Sequence, residues 1–222
     1  MVNMKTKKPN KRVFVFVDRD ATLIYDGGNY NLGKQKDWRE LIRILPGVVS
    51  GIKRLRKLKD VGIYMITNQP GVAVKEFPLL TLEKANSVCQ EILDRLEDKG
   101  ARIEGYRLCP HATLSELRRH PERHYDKRYI HKNCSCHKPH IGMIRDIVKD
   151  EGYNLSEVKI YTLGDRYGDV KIGINAGGYG ILTPFKNREK HLAKVKKLKS
   201  RRKYIAKSFL DAVSFVLKRE KN

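Results

Sequence analysis

Residues 12–24 read RVFVFVDRDATLI: five apolar residues, Val13, Phe14, Val15, Phe16 and Val17, run straight into Asp-Arg-Asp. The unbroken run, β-branched and aromatic throughout, predicts a short strand covered on both faces rather than an amphipathic helix. Asp18 and Asp20 then stand where that strand must end. A buried carboxylate costs several kcal/mol unless it is paired, hydrogen-bonded or metal-bound, so the rest of the chain has to supply partners.

Downstream, apolar segments of two periods alternate. PGVVSGIKRLRKLKDVG has Pro46 at a helix start, Val49, Ile52, Leu55 and Leu58 on one side, and Gly62 at its end; IYMITNQPG follows as a strand breaking into a polar turn. In TLEKANSVCQEILDRLEDKG, Leu82, Ala85, Val88, Cys89, Ile92, Leu93 and Leu96 recur at helical spacing, which places Cys89 on the core face. A strand over Ile103 to Leu108, a helix in PHIGMIRDIVKDEGY, a strand in VKIYTLGDR, a short helix in GDVKIGINAGG and a strand in YGILT complete the series. Such alternation predicts an α/β fold: a three-layer, Rossmann-like arrangement of a central parallel sheet with helices on both faces, and ligands at the strands' carboxyl ends. The polar stretch YDGGNYNLGKQKDWRE reads as a flap near the Asp-Arg-Asp turn. Segment 186–203 is dominated by Lys and Arg and reads as a solvated excursion. The closing YIAKSFLDAVSFVLK regains periodicity through Ile205, Phe209, Val213, Val216 and Leu217, predicting a last helix docked on the core.

At 222 residues and 40% hydrophobic, one domain over 1–222 is expected. No run of about 18 apolar residues is present, and the basic N-terminus is followed by too few apolar residues for a signal-peptide core, so a soluble, cytoplasmic monomer is expected. The net charge of +22 points to phosphate-bearing partners. Its distribution matters more than its size. Residues 1–12 supply +5 and residues 186–222 supply +11, leaving a mildly basic middle; weak, nonspecific nucleic-acid binding through the basic tail is the most that charge alone predicts.

Cys109-x-His111 and Cys134-x-Cys136 form two tight pairs bracketing a polar loop, 109–136, which also holds most of the chain's histidines. Two alternatives follow from the residues: a closed tetrahedral Zn2+ site, or a His-rich loop whose thiols are free.

Four polar clusters lie at predicted strand ends or beside them: Asp18-Arg19-Asp20-Ala21-Thr22, Thr67-Asn68-Gln69, Lys138-Pro139, and Gly164-Asp165 with Asp169 four residues on. Singly each is ordinary turn chemistry. Together, in this order, they resemble the four motifs of the haloacid dehalogenase superfamily of phosphohydrolases. The pairs CPH and CSCHKPHIGM, with DRDATLI, TNQPGVA and LGDRYGD, narrow the resemblance to the histidinol-phosphate and heptose-bisphosphate phosphatase family. That resemblance implies a structural Zn2+ on Cys109, His111, Cys134 and Cys136 and a catalytic Mg2+; the gaps between Thr22 and Thr67 and between Asn68 and Lys138, filled by the flap, sheet helices and the Cys/His loop, leave no room for a large cap domain.

Chemistry gives these residue types a reason. A phosphate monoester dianion repels an attacking carboxylate, so a nucleophilic Asp18 needs a divalent cation and Lys138 to neutralise the charge. Asp20 is placed to protonate the leaving alkoxide and then to deprotonate the hydrolytic water. Thr67, with the turn residues Asn68 and Gln69, would hold a phosphoryl oxygen. The carboxylates of Asp18 and Asp165 and the backbone carbonyl of Asp20 make an all-oxygen set suited to Mg2+. His137 stands where the resemblance implies Arg, and Arg166 where Lys often follows the motif Asp; both are candidates for substrate phosphate. The expected function is a phosphomonoesterase acting on a small phosphorylated metabolite, a sugar bisphosphate or histidinol phosphate. The alternatives are a polynucleotide 3′-phosphatase and a zinc-containing nucleic-acid-binding protein.

Overall fold

β1 (Val13–Val17) lies inside a six-stranded, wholly parallel sheet, between β2 (Val61–Asn68) and β4 (Lys159–Gly164). The computed structural model describes residues 12–25, 31–186 and 188–221. Outside β2 runs β3 (Gly105–Cys109); outside β4 run β5 (Tyr179–Leu182) and β6 (Lys203–Ile205), giving the order β3-β2-β1-β4-β5-β6. The two-sided burial inferred for β1 has a direct cause. Val13, Val15 and Val17 join one core with residues of α1 (Val48–Leu55), α2 (Leu82–Asp98) and α7 (Phe209–Lys221), while Phe14 and Phe16 join a second with α4 (Gly142–Asp150) and α5 (Tyr167–Asn175). Successive strand residues point to opposite faces, so a strand with helices on both sides has no polar position to offer. The layering is helix, sheet, helix. Among the described residues only turns and isolated bridges lie between β1 and α1, and the connection from β2 to α4 holds α2, the edge strand β3 and short helical turns of the 109–136 loop, so no further sheet or cap domain intervenes. No helix among them is long and apolar enough to cross a membrane.

Several expectations need correction. Gly62 does not end α1; it lies within β2, because the helix stops at Leu55 and the strand opens at Val61. The flap is not a free loop where it is described: Leu32 and Trp38 are buried in the first core, as is Ile42 just beyond it, and Lys84 and Arg39 lie over the Trp38 ring. Its residues 26–30 and the basic N-terminal stretch through residue 11 lie outside the described residues. Segment 186–203 is not merely solvated. It carries α6 (Glu189–Lys196), whose Val195 is fully buried against Val170 and Leu182, with Leu192 and Leu198 beside it, and it leads into β6. Three apolar residues at one helical face were enough to dock it, despite a composition that reads as solvent-bound. Ile205 belongs to β6 and is 37% exposed, so the last helix starts at Phe209 rather than at the first apolar residue of its pattern.

In the loop between the Cys109/His111 and Cys134/Cys136 pairs, which carries α3 (Leu114–Arg119), three cations have local partners, while Arg118, Lys127 and Lys132 are exposed and without an ion pair among the described residues. Arg119 pairs with Glu116, Arg128 with Asp126, and Arg123 lies over the Phe77 ring.

Candidate active site

β1, β2 and β4 are parallel and in register, so their carboxyl ends deliver Asp18, Thr67 and Asp165 to one edge of the sheet. The Asp18 N–H donates to Leu163 O at 2.8 Å, fastening the end of β1 to β4. After it the chain turns sharply. Ala21 has φ of 59°, in the left-handed region that disfavours a side chain, and the turn is closed by Ala21 N–H to Ile24 O and by Leu23 and Ile24 N–H to Arg19 O. That turn folds Asp20 back beside Asp18.

Lys138 is buried, and its ammonium donates to Asp18 Oδ1 and Asp169 Oδ1, each at 2.5 Å, and to Ile66 O at 3.1 Å. All three of its donors are thereby used. Burial disfavours the charged amine, but the two carboxylates outweigh burial and raise its pKa. Asn68 sets the lysine backbone: its Oδ1 accepts from Lys138 N at 3.0 Å and its Nδ2 donates to Lys138 O at 3.4 Å. Thus the β2 end and the loop leading to α4 are locked together.

A second network surrounds Asp20. Arg19, 1% exposed, donates from Nε and Nη2 to Asp20 Oδ1 at 3.1 and 3.0 Å, and from Nη2 to Gln69 Oε1 at 2.8 Å. Gln69 Nε2 in turn donates to Asp20 Oδ2 at 2.9 Å and to Thr67 Oγ1 at 2.8 Å. The two aspartates are therefore differentiated by their partners. Burial pushes Asp18 well above the usual carboxylate range, aided by repulsion from Asp169 against the pull of Lys138. Burial also opposes ionisation of Asp20, but the Arg19 charge, its hydrogen bonds and that of Gln69 prevail and hold Asp20 below its ordinary value.

Asp165 is fully buried; its Oδ2 accepts from Arg188 Nε, Arg166 lies 3.8 Å away, and its Oδ1 has no hydrogen-bond partner. Burial first, then repulsion from Asp169, pushes its carboxyl up to about 6, against the pull of Arg166 and Arg188. Oxygens of Asp18, Asp165 and Asp169 lie within 4.8 Å of one another. An orphaned buried carboxylate oxygen beside two further carboxylates is an environment a hard divalent cation fits. Asp169 has both oxygens engaged, one by Lys138 and one by Arg166 N–H, which leaves Asp18 and Asp165 as the side chains free to hold the ion. Gly164 is required by this packing, since a Cβ there would collide with the Asp169 side chain.

These carboxylates make a stability prediction for protein freed of divalent cations. Between the ordinary carboxylate range and about pH 6 the unfolded chain has released a proton that the fold retains on Asp165. Unfolding then releases protons, so stability falls as pH rises through that window, by on the order of 2 kcal/mol. Melting curves across it should slope downward for the wild type and be flatter for Asp165→Asn. Equal slopes would remove Asp165 from the account.

The Cys/His cluster sits next to this site. Among Cys109 Sγ, His111 Nδ1, Cys134 Sγ and Cys136 Sγ the recorded separations run from 2.9 to 3.6 Å. Three thiols and one imidazole nitrogen, converging without other partners of note, form a donor set that fits Zn2+. Hydrogen bonding from Cys109 draws the Cys136 thiol down to about 5, in the direction of the thiolate a metal would need. Cys109 closes β3, Cys136 is two residues from Lys138, and a Cβ at Gly142 would strike the Ser135 backbone, so this cluster ties β3 to the lysine loop and α4. His137 points its Nδ1 toward His111 O at 3.3 Å, on the cluster side.

No family model matches the chain. The D-glycero-beta-D-manno-heptose-1,7-bisphosphate 7-phosphatase of Rhodopseudomonas palustris is 30% identical over 172 residues, covering 78% of this chain and 83% of that protein. The chain belongs to that phosphatase family, within the haloacid dehalogenase superfamily. The histidine biosynthesis bifunctional protein HisB of Campylobacter jejuni is 28% identical over 169 residues, 75% of this chain but 40% of HisB, so the match spans about two-fifths of that longer relative. The fold is shared with the crystal structure of D,D-heptose 1,7-bisphosphate phosphatase from B. bronchiseptica, solved with magnesium and phosphate: TM-score 0.69, 22% identity, covering 93% of this chain and 99% of that one.

Of the candidates named from sequence, Asp18, Lys138 and Asp165 meet in one cluster, and Asp20, Thr67 and Gln69 in the network joined to it. Asn68 serves the lysine backbone. Arg166 is at the rim, its side chain 44% exposed. Sequence reasoning passed over Arg19, Asp169 as the lysine's second partner, and Arg188. Arg19 carried a signal, because a cation between two carboxylates at a buried strand end has few other reasons to be there. Arg188 carried none, as it is one basic residue in a segment full of them.

Proposed function

We propose that this chain is a Mg2+-dependent phosphomonoesterase that hydrolyses a sugar bisphosphate through an aspartyl-phosphate on Asp18. The observation that carries the reading is the contrast between the two neighbouring aspartates: Asp18 held by Lys138, Asp20 held by Arg19 and Gln69. One can then serve as nucleophile and the other as proton carrier. Bound between Asp18 and Asp165, Mg2+ would supply the positive charge that lets a carboxylate approach a phosphate dianion.

Lys138 neutralises Asp18 on one side and orients its Oδ1. Thr67, at the end of β2, would hold a phosphoryl oxygen through its hydroxyl, whose oxygen accepts from Gln69 Nε2 and leaves the hydroxyl proton to donate. The arriving dianion raises the pKa of Asp20, since negative charge nearby disfavours its ionised form, and readies it to carry the proton that the leaving alkoxide takes. Once the alkoxide has gone, Asp20 is again drawn toward the carboxylate by Arg19 and can take a proton from the attacking water. The names of the heptose-bisphosphate phosphatase relatives support the sugar bisphosphate as substrate class. Zn2+ is assigned to the Cys109, His111, Cys134 and Cys136 cluster in a structural role, since that cluster borders the lysine loop and supplies no group to the phosphate site.

Purified protein should release phosphate from heptose 1,7-bisphosphate with a higher kcat/KM than from histidinol phosphate or a 3′-phosphorylated oligonucleotide, and only with Mg2+ added. A preference for the oligonucleotide at physiological salt would replace this substrate assignment.

A further inference from the structure

We propose that α6 and the turn after it form a binding face for the phosphate backbone of a nucleic acid, separate from the phosphatase site. Residues 188–203 hold nine basic side chains and one acidic one, Glu189. Some of these cations have structural work: Arg188 meets Asp165, Lys203 Nζ donates to the carbonyls of Val195, Lys196 and Leu198 at the end of α6, and Arg202 reaches Gly177 O. Six others, Lys190, Lys194, Lys196, Lys197, Lys199 and Arg201, are exposed and have no ion-pair partner among the described residues. In the Cys/His-pair loop Glu116 and Asp126 stand against Arg119 and Arg128, and its exposed cations without an ion pair among the described residues, Arg118, Lys127 and Lys132, are spread over separate elements rather than aligned on one helix. The one acid of α6, Glu189, forms no ion pair among the described residues.

Geometry concentrates the charge. Lys190, Lys194 and Lys197 recur at i, i+4 and i+7, so they form one stripe on the side of α6 opposite buried Val195. Like charges at that spacing destabilise a helix by about 0.2–0.5 kcal/mol per pair. In an exposed helix of eight residues the repulsion is not offset by helix propensity, and a polyanion lying along the stripe would relieve it. The helix is also fixed in place, by Val195 in the core and by His191 Nδ1 accepting from Tyr167 N–H at 3.2 Å. A rigid row of unpaired cations is pre-organised for a chain of phosphates. An anionic membrane is the less suitable partner, because helices that lie on lipid turn bulky apolar residues toward it, whereas Leu192 and Val195 face the protein.

The test uses the whole protein and a labelled single-stranded oligonucleotide of about 20 nucleotides, followed by fluorescence anisotropy over a range of salt. Wild-type binding should weaken steeply with salt. The triple variant Lys190→Gln, Lys194→Gln, Lys197→Gln should lower the log–log slope by about 2, at about 0.7 per single-strand phosphate contact, with affinity at 0.1 M salt at least about tenfold weaker. Its melting temperature should equal or exceed that of the wild type, which separates lost contacts from lost folding. A control triple, Lys53→Gln, Lys57→Gln, Lys59→Gln, removes the same charge from exposed positions on α1 and the turn into β2. It should change the slope little. Equal losses in both triples would show that net charge, not this face, binds the strand, and would overturn the proposal. So would salt-independent wild-type binding, or preferential binding to phosphatidylserine-containing vesicles that the α6 triple abolishes. None of these readouts depends on hydrolysis.

Discussion

Asp18→Asn should lower Mg2+-dependent phosphate release by at least about a thousandfold, since a carboxamide keeps the shape of the side chain but removes the nucleophile. The fold should survive. Asp18 is buried with Lys138 on one oxygen, and the amide can still accept that hydrogen bond; removing a carboxylate from the group of Asp18, Asp165 and Asp169 also removes repulsion. Asp20→Asn should fail differently. With an alkyl phosphate, the leaving group needs a proton and both steps slow. With 4-nitrophenyl phosphate, the leaving phenolate needs none, so the first step proceeds while hydrolysis of the aspartyl-phosphate lacks its base. Rapid mixing should therefore show a burst of nitrophenolate, about one per enzyme, followed by near-zero turnover in Asp20→Asn and no burst in Asp18→Asn. Bursts in both variants, or turnover near wild type in either, would reverse or remove the two assignments.

The parts of this site legible in the sequence are those fixed by strand ends. A doubly buried strand must stop at its first charge, so Asp18 and Asp165 could be placed at one sheet edge once β1 and β4 were recognised, and Thr67 likewise after β2. Connections between those ends were not legible. Whether Gln69 faces a phosphate or Asp20 is set by side-chain geometry within a turn, and the structure aims its amide at Asp20 and Thr67. Composition misled in segment 186–203, where the average over many lysines hid Val195 and the two leucines that dock α6. The same averaging hid Arg188, whose importance comes from its position after β5 and not from its type. Trp38 shows the reverse error: a polar, Gly-rich surrounding suggested a loose flap, yet one large aromatic ring is enough to bury the stretch that carries it.

With Zn2+ in the structural role proposed for the Cys/His cluster, its removal should damage both stability and catalysis although the ion would supply nothing to the phosphate. Cys109 ends the edge strand β3, while Cys134 and Cys136 stand four and two residues before Lys138, so a metal held by this cluster would close a link between the sheet and Lys138. Without it, three thiols and an imidazole remain packed with only weak mutual hydrogen bonds, and the loop is held to β2 chiefly by Asn68. Metal binding to a preformed site stabilises the fold that contains it. Cys134→Ser replaces a soft, buried ligand with a hydroxyl that binds Zn2+ poorly, and elemental analysis should show the metal content falling from about one per chain to well below that. A loss of about 3 kcal/mol would lower the melting temperature by roughly 10 °C for a chain of this size. Mg2+-dependent kcat should fall with it, because Lys138 loses part of its anchor, and excess Mg2+ should not restore it, as an all-oxygen cation has no use for this donor set. A variant that lost its zinc but kept its melting temperature and turnover would mean that Asn68 and the packing of α4 alone hold the lysine loop in place.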